Sequence, residues 1–367
     1  MQLTIPRSIL AEHLQTVVKA VPNKSSLTML EGILFKCEGN SMTLTATNLE
    51  LGISSTFTIE QQEMCEVILP PKVVEIVRKL PGETVQLTIN PENYLTEIVS
   101  GQSQFQLYGF NPDEYPPFPQ FSTETVEFSF NVKVTDFRRA LRQTLFCVSH
   151  DEGKPAFTGL LFSLQDEILT LSASDTFRLA TTNCRVNKPV NSGKFLVPAK
   201  NLQEVLRIFT EEEETILVSV SQNRIILSCR DKKIVSRLLD ETFPNVERVI
   251  PKELTGSVQI DCLKFMQAVE RSSLLSEGGN NVVRLSFNSG ELVMRATSKY
   301  GKTQEKIPVE LEGEEVEISL NSRFILEMLK ISEGEICIME LTGPNKPCII
   351  RDSLHPDYLY LVLPIKI

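Results

Sequence analysis

The chain has 367 residues, 41% of them hydrophobic and 23% charged, and a formal net charge of −10. That length predicts two or three domains, and that composition a soluble globular protein. The acidic balance argues against a protein that coats nucleic acid with its whole surface. The opening MQLTIPRSILAEHLQ lacks the apolar core of a signal peptide, and the run YLYLVLPIKI is too short to span a bilayer as a helix.

QLTI alternates as a short strand, and Leu10, Leu14 and Val17 or Val18 follow at helical spacing. Further strands lead to PPKVVEIVRKL, a second helix with proline in its first turn, where the missing N–H costs nothing. TVQLTI, TEIVS and QFQLYGF read as closing strands. NPDEYPPFPQF, with four prolines in eleven residues, reads as a linker. The order then begins again with EFSFNV, a helix carrying Phe137, Leu141 and Leu145, and later PAKNLQEVLRIF; after FPNVERVIPKE it begins a third time at SVQID.

Local similarity matches this recurrence. Ala46-Thr47-Asn48 aligns with Ala173-Ser174-Asp175 and Ala296-Thr297-Ser298, at spacings of 127 and 123 residues. Gly32-Ile33-Leu34-Phe35 and Gly159-Leu160-Leu161-Phe162 keep the 127 spacing, and Leu69-Pro70-Pro71-Lys72 meets Val197-Pro198-Ala199-Lys200 at 128. These landmarks predict three tandem copies of one domain, at 1–122, 123–250 and 251–367. The class is α+β, antiparallel sheet with two helices per copy.

The six helix windows (6–21, 70–80, 135–149, 198–209, 261–275 and 321–331) hold 14 basic and 7 acidic residues, so they net +7 while the rest of the chain nets −17. Basic helices in an acidic chain are the signature of a surface that receives a polyanion. If three copies form an arc and two chains close it, twelve helices about 10 Å wide enclose a hole of about 28 Å, enough for a DNA duplex. Phosphate contacts of that kind carry no sequence information.

The three-copy layout, the block GLLF…LTLSASDTFRLA, the boundary FPNVERVIP and the terminus LVLPIKI resemble the bacterial DNA sliding clamps, the beta subunit of DNA polymerase III, over the whole chain. The resemblance implies a head-to-tail homodimeric ring, sheets outside and helices inside, encircling duplex DNA in the cytoplasm without membrane contact, metal or cofactor. As a processivity factor it would tether the replicative polymerase catalytic subunit, and would meet a clamp loader. Other polymerases and repair proteins would dock by a short linear peptide.

The matching peptide pocket comprises Ser174, Thr176, Arg178, Leu179, Pro244, Arg248, Val249, Pro347, Leu361, Leu363, Pro364, Ile365, Lys366 and Ile367. Its leucines and valine would supply apolar area, and Arg178 and Arg248 would fix polar groups of the peptide. Phe177 stands where many relatives have His, Thr176 where they have Gly, and Pro347 where a small polar residue can occur. The matching DNA contacts are Lys24, Lys72, Lys154 and Lys200. The ring interface would set Phe105 and Leu107 against Leu274 and Leu275. Glu92 and Glu97 lie toward the first edge and Lys299, Lys302 and Lys306 toward the other, so the charge pairing of some relatives is expected to be inverted or absent here and apolar contact to dominate.

No catalytic activity is expected. The phosphate-binding loop, the nucleophile elbow and metal-ligand spacings are missing from the sequence, and Ser174, Asp175 and Arg178 have no histidine near in sequence to act as base. The eight cysteines form no C-x-x-C pair, which fits a reduced compartment and argues against zinc. Two other readings remain: a repeat-built scaffold that binds only proteins, and a nuclease-like enzyme with carboxylates assembled across domains.

Overall fold

The computed structural model of the chain describes residues 2–60, 64–119, 125–221, 223–276 and 281–366. Among them the elements recur in one order: strand, helix, four strands, helix, three strands. The first round is β1 (Gln2–Pro6), α1 (Arg7–Val17), β2 (Ile33–Glu38), β3 (Ser41–Thr47), β4 (Leu51–Thr58), β5 (Cys65–Leu69), α2 (Lys72–Lys79), β6 (Thr84–Ile89), β7 (Leu95–Ser100) and β8 (Ser103–Tyr108). The second is β9 (Phe128–Lys133), α3 (Val134–Leu145), β10 (Gly159–Gln165), β11 (Ile168–Ser174), β12 (Arg178–Arg185), an added β13 (Asn187–Val190), β14 (Gly193–Pro198), α4 (Ala199–Ile208), β15 (Thr215–Ser221), β16 (Arg224–Cys229) and β17 (Lys232–Arg237). The third is β18 (Gly256–Asp261), α5 (Cys262–Ser273), β19 (Val282–Asn288), β20 (Glu291–Ser298), β21 (Gly301–Pro308), an added β22 (Glu310–Gly313), β23 (Val316–Asn321), α6 (Ser322–Leu329), β24 (Ile336–Leu341), β25 (Cys348–Asp352) and β26 (Leu359–Val362). The fold is α+β, as the sequence implied.

The helices start where local chemistry permits. Pro70 and Pro71 precede α2, and Pro198 precedes α4. In the third copy side chains cap the ends: Asp261 accepts the Lys264 N–H at 2.9 Å, and Asn321 the Arg323 N–H at 2.9 Å.

Two compact units emerge, and they do not follow the repeats. One comprises 1–134, 187–191 and 200–238; the other comprises 135–186, 192–199 and 239–367. The first holds a sheet of order β1-β6-β7-β8 and a nine-stranded sheet of order β13-β9-β15-β16-β17-β4-β3-β2-β5. The second holds the order β14-β10-β11-β12-β26-β25-β24-β18-β22 and the order β21-β20-β19-β23. Each nine-stranded sheet is fused from two copies, by β17 on β4 in one unit and β26 on β12 in the other. The alternating strands turn their apolar side inward: Leu3 and Ile5 of β1 are fully buried, as are Leu44 and Ala46 of β3 and Leu171 and Ala173 of β11.

The proline-rich stretch at 111–121 is packed down, at least through its described part. Tyr115 is buried against Leu30 and Ile68, and its hydroxyl donates to the Thr45 carbonyl at 3.4 Å. Burial pushes its phenol well above the ordinary range. Prolines mark where the chain leaves regular structure; they do not make it loose.

Candidate functional site

The landmark shared by the three copies is a turn. In Ser174–Arg178, the Asp175 carboxylate accepts the N–H of Phe177 at 2.9 Å and of Arg178 at 3.0 Å. Ser174 Oγ accepts from the Thr176 N–H at 3.1 Å and donates to the Arg178 carbonyl at 2.7 Å. The first copy repeats this: Asn48 accepts from Glu50 at 3.0 Å and Leu51 at 2.7 Å, and Thr47 Oγ1 accepts from Leu49 and donates to the Leu51 carbonyl. A short polar side chain at these two positions is what closes the turn. The middle residue sits in the left-handed region, φ 73° at Leu49 and 81° at Thr176, a conformation that disfavours a β-branched side chain.

In the second unit this turn stands over an apolar cavity of about 260 Å³. The β12–β26 register sets Leu179 opposite Leu361, and the Leu363 N–H donates to the Phe177 carbonyl at 2.9 Å. Leu179, Ile349, Leu359 and Leu361 form a buried cluster with Val246 and Ile250 packed on it. Phe157 and Phe243 meet at 5.7 Å between ring centroids on the rim. Asn245 caps the short helix Val246–Arg248 by accepting the Glu247 N–H at 3.0 Å.

Of the expected pocket residues, Ser174, Thr176, Arg178, Leu179, Pro244, Val249, Leu361 and Leu363 line this cavity. Arg248, Pro347, Pro364, Ile365 and Lys366 do not line it. Arg248 ends its short helix exposed, and Pro347 precedes β25 half-buried. After β26 the chain turns away, and the Ile365 N–H donates to the Ser319 carbonyl on β23 at 2.8 Å. Ile367 lies outside the described residues. Phe157, Phe177, Phe243, Asn245 and Val246 also line the cavity and were not singled out for it from the sequence. Three of these sit inside the quoted boundary motif FPNVERVIP, whose aromatic and apolar positions were the available signal.

Arg178 is heavily engaged within the chain. The sequence suggested that it fixes polar groups of a peptide; its side chain is 5% exposed and its guanidinium already has partners. Nε donates to Asp175 at 2.9 Å, one terminal nitrogen to the Phe146 carbonyl at 2.8 Å and the other to Glu327. It also lies 4.3 Å over the Phe324 ring. Burial works against the Glu327 charge, yet hydrogen bonds from Arg323 and Arg178 outweigh it and hold this carboxyl below its usual range. Arg178 is a structural bolt beneath the turn.

Lys24, Lys72, Lys154 and Lys200 are all exposed. Asn23 and Pro71, the chain neighbours of Lys24 and Lys72, line one cavity in the first unit. Lys72 pairs with Glu75 at 2.6 Å on its own helix. The same local pairing joins Arg139 to Asp136, Arg207 to Glu204, Lys264 to Asp261 and Arg323 to Glu327. Each such pair cancels one charge of each sign, so the basic excess of the helices survives.

Phe105 and Leu107 lie on the edge strand β8, with Phe105 exposed and Leu107 half-buried. Leu274 is 81% exposed just past α5, and Leu275 is half-buried within 4.0 Å of a Cβ placed on Gly301, at the start of edge strand β21. Glu97 bonds Gln104, and Lys306 pairs with Glu291 at 3.2 Å, so both charges are engaged within the chain.

One grouping escaped the sequence. His13 Nδ1 lies 2.7 Å from Ser55 Oγ and 3.6 Å from Asp231. Serine and aspartate here share one ring nitrogen, whereas a nucleophilic triad needs them on opposite nitrogens. Burial lowers the histidine's pKa. Among the described residues no cluster of three or more His, Cys, Asp or Glu could hold a metal ion, and no helix is long and apolar enough to cross a membrane.

Three family models match in tandem: the N-terminal domain of the DNA polymerase III beta subunit over 1–119, its central domain over 131–245 and its C-terminal domain over 247–366. The chain belongs to this family. It is 31% identical over 382 residues to the beta sliding clamp of Halalkalibacterium halodurans, covering both chains in full. It is also 31% identical over 378 residues to that of Staphylococcus aureus, covering 100% of this chain and 99% of the relative. The crystal structure of the Bacillus subtilis DNA polymerase sliding clamp superposes with a TM-score of 0.94 at 29% identity, covering 100% of this chain and 99% of that one. That of the Thermotoga maritima beta subunit does so with 0.91 at 26%, with the same coverage. As a beta subunit the chain is a DNA sliding clamp, a non-catalytic processivity factor in replication, with DNA, the polymerase and a second copy of itself as partners.

Proposed function

We propose that two copies close head to tail into a ring around duplex DNA, and that the cavity beneath the Ser174–Arg178 turn receives short linear peptides from proteins using the ring. One observation carries the ring. At both internal seams, the last strand of one copy pairs with the third strand of the four between the helices of the preceding copy: β17 on β4, and β26 on β12. The strands left open by that rule are β8 and β21, each at the edge of its sheet. Pairing β8 of one chain with β21 of another applies the rule a third time and removes both edges. Because the two surfaces differ, the contact is head-to-tail, and it closes if the rotation permits. Large apolar side chains stand at both places: Tyr108 is 82% exposed, and Tyr300 and Leu274 are each 81% exposed.

Copies bounded at 1–122, 123–250 and 251–367 fit this scheme. Lys24, Lys72, Lys154 and Lys200 would face the phosphates, binding loosely and without sequence preference. Peptides of the replicative polymerase, other polymerases, repair proteins and a clamp loader would share the cavity, in the cytoplasm. The test is topological. The protein is loaded on nicked circular plasmid by a clamp loader, and the plasmid is then linearised. A ring stays on the circle and runs off the ends; a scaffold that binds only proteins is never retained, and release that ignores linearisation would refute encirclement.

A further inference from the structure

All eight cysteines are thiols, and the fold brings Cys262 and Cys337 to neighbouring positions. Cys262 opens α5, and Cys337 lies in β24 beside it. The β18–β24 register pairs Ile260 with Cys337, and the Cys262 N–H donates to the Glu335 carbonyl at 2.8 Å, so Cys262 and Cys337 are diagonal neighbours across the strand pair. Their environments differ. Cys337 is fully buried, while Cys262 is half-buried and also has Ser332 Oγ 3.7 Å from its sulfur.

We propose that Cys262 and Cys337 form a redox-active dithiol that closes to an intramolecular disulfide when the protein meets a hydroperoxide. Three features assign the roles. Cys262 is the first residue of a twelve-residue helix, where the dipole favours an anion. The neighbouring Cys337 thiol favours the Cys262 thiolate, so the pKa of Cys262 is lowered and that of Cys337 raised, and Ser332 assists; burial, Asp352 and Asp261 oppose the anion without reversing the direction. Solvent reaches only Cys262, so it is the attacking group and Cys337 the resolving one.

In the first step the Cys262 thiolate attacks one peroxide oxygen. The O–O bond breaks, Cys262 is oxidised to a sulfenic acid, and the peroxide is reduced, leaving as water or an alcohol after taking up a proton. In the second, the Cys337 sulfur attacks the Cys262 sulfur and the S–O bond breaks. The departing hydroxide takes the proton that Cys337 gives up. Two thiols and one hydroperoxide yield one disulfide, one water and one water or alcohol. The bond would pin the start of α5, a helix carrying Lys264 and Arg271, to β24.

A second pair supplies an internal comparison. Cys37 and Cys65 stand directly opposite each other on β2 and β5, with Cys65 half-buried, but neither begins a helix.

The test is peroxide treatment of the full chain, followed by alkylation and mass spectrometry of a non-reduced digest. The expected product is a Cys262–Cys337 linked peptide with loss of two hydrogens, reversed by dithiothreitol. Before oxidation, Cys262 should react with iodoacetamide near neutral pH about tenfold faster than Cys65. In Cys337→Ser the oxidation of Cys262 should stop at a sulfenic acid that dimedone traps. In Cys262→Ser, a mild change at a helix start, both the link and the trapped adduct at this site should vanish. A link only between Cys37 and Cys65, or oxygen uptake at Cys262 in the unsubstituted protein with no link, would overturn the proposal.

Discussion

Arg178→Met separates two roles for the arginine beneath the pocket. Methionine keeps most of the stem volume and removes the charge and all donors. Asp175 and the Phe146 carbonyl would each lose a hydrogen bond, and Glu327 would keep Arg323 at 2.7 Å. Breaking a buried charge network by removing one partner costs about 3–5 kcal/mol. Because Glu327 retains a partner, about 3 kcal/mol is the expected loss. For a unit of this size that lowers its melting temperature by about 6–12 °C. Differential scanning calorimetry with near-ultraviolet circular dichroism would read it. Peptide affinity, measured by fluorescence anisotropy well below the transition, should fall only as far as the Ser174–Arg178 turn loosens. Arg248→Ala is the control: an exposed residue, whose loss should leave stability within about 0.5 kcal/mol. If Arg178→Met melts with the unsubstituted protein yet loses peptide binding more than about tenfold, the arginine holds the peptide directly and the bolt reading fails.

Three further outcomes are expected. Thr176→Gly should stabilise the second unit by about 1 kcal/mol in urea denaturation, since relief of left-handed strain exceeds the entropy glycine adds to the unfolded chain; a loss of stability would show that the threonine side chain matters more than its backbone. Asp352 is buried, and although burial opposes its charge, hydrogen bonds from the N–H groups of Leu354, Glu333 and Gly334 and from Ser332 hold its carboxyl below the usual 3.8. Its folded-state pKa is depressed, so its contribution is present above about pH 4 and is lost as pH falls through the folded value; Asp352→Asn should cost about 1–2 kcal/mol at pH 7, and the gap should close in acid when melting is followed against pH. Leu274→Asp should weaken dimerisation at least about tenfold in analytical ultracentrifugation, and an unchanged constant would move the interface elsewhere.

Much of the fold was legible because it is written three times. Ala-Thr-Asn, Ala-Ser-Asp and Ala-Thr-Ser are turn chemistry, and the prolines before α2 and α4 mark helix starts within two residues of the observed ones. What stayed hidden depends on contacts far apart in the chain. Arg178 reaches Phe146 across 32 residues and Glu327 across 149, and no local pattern announces either. Phe157 and Phe177 are single aromatics outside any periodic run, so their convergence with Phe243 on one cavity was not readable from periodicity. Tyr115 sat in a stretch whose prolines spoke of turns and said nothing of packing.

The two internal seams share a backbone and differ in the side chains they present. Their backbones agree: the Arg237 N–H donates to the Glu50 carbonyl at 2.9 Å in the first, as the Leu363 N–H does to the Phe177 carbonyl at 2.9 Å in the second. Their side chains differ at those same positions. In the first seam Glu50 and Arg237 form an ion pair at 3.3 Å, half-exposed, which offers a partner little apolar area. In the second, Phe177 and Leu363 stand there, 59% and 39% exposed, over the buried Leu179 and Leu361. Apolar side chains left open beside a buried apolar floor are worth covering, at about 25 cal/mol per Å² removed from water. The repeat therefore supplies the same backbone at each seam, and on the proposed peptide reading two residue identities would favour the second seam over the first.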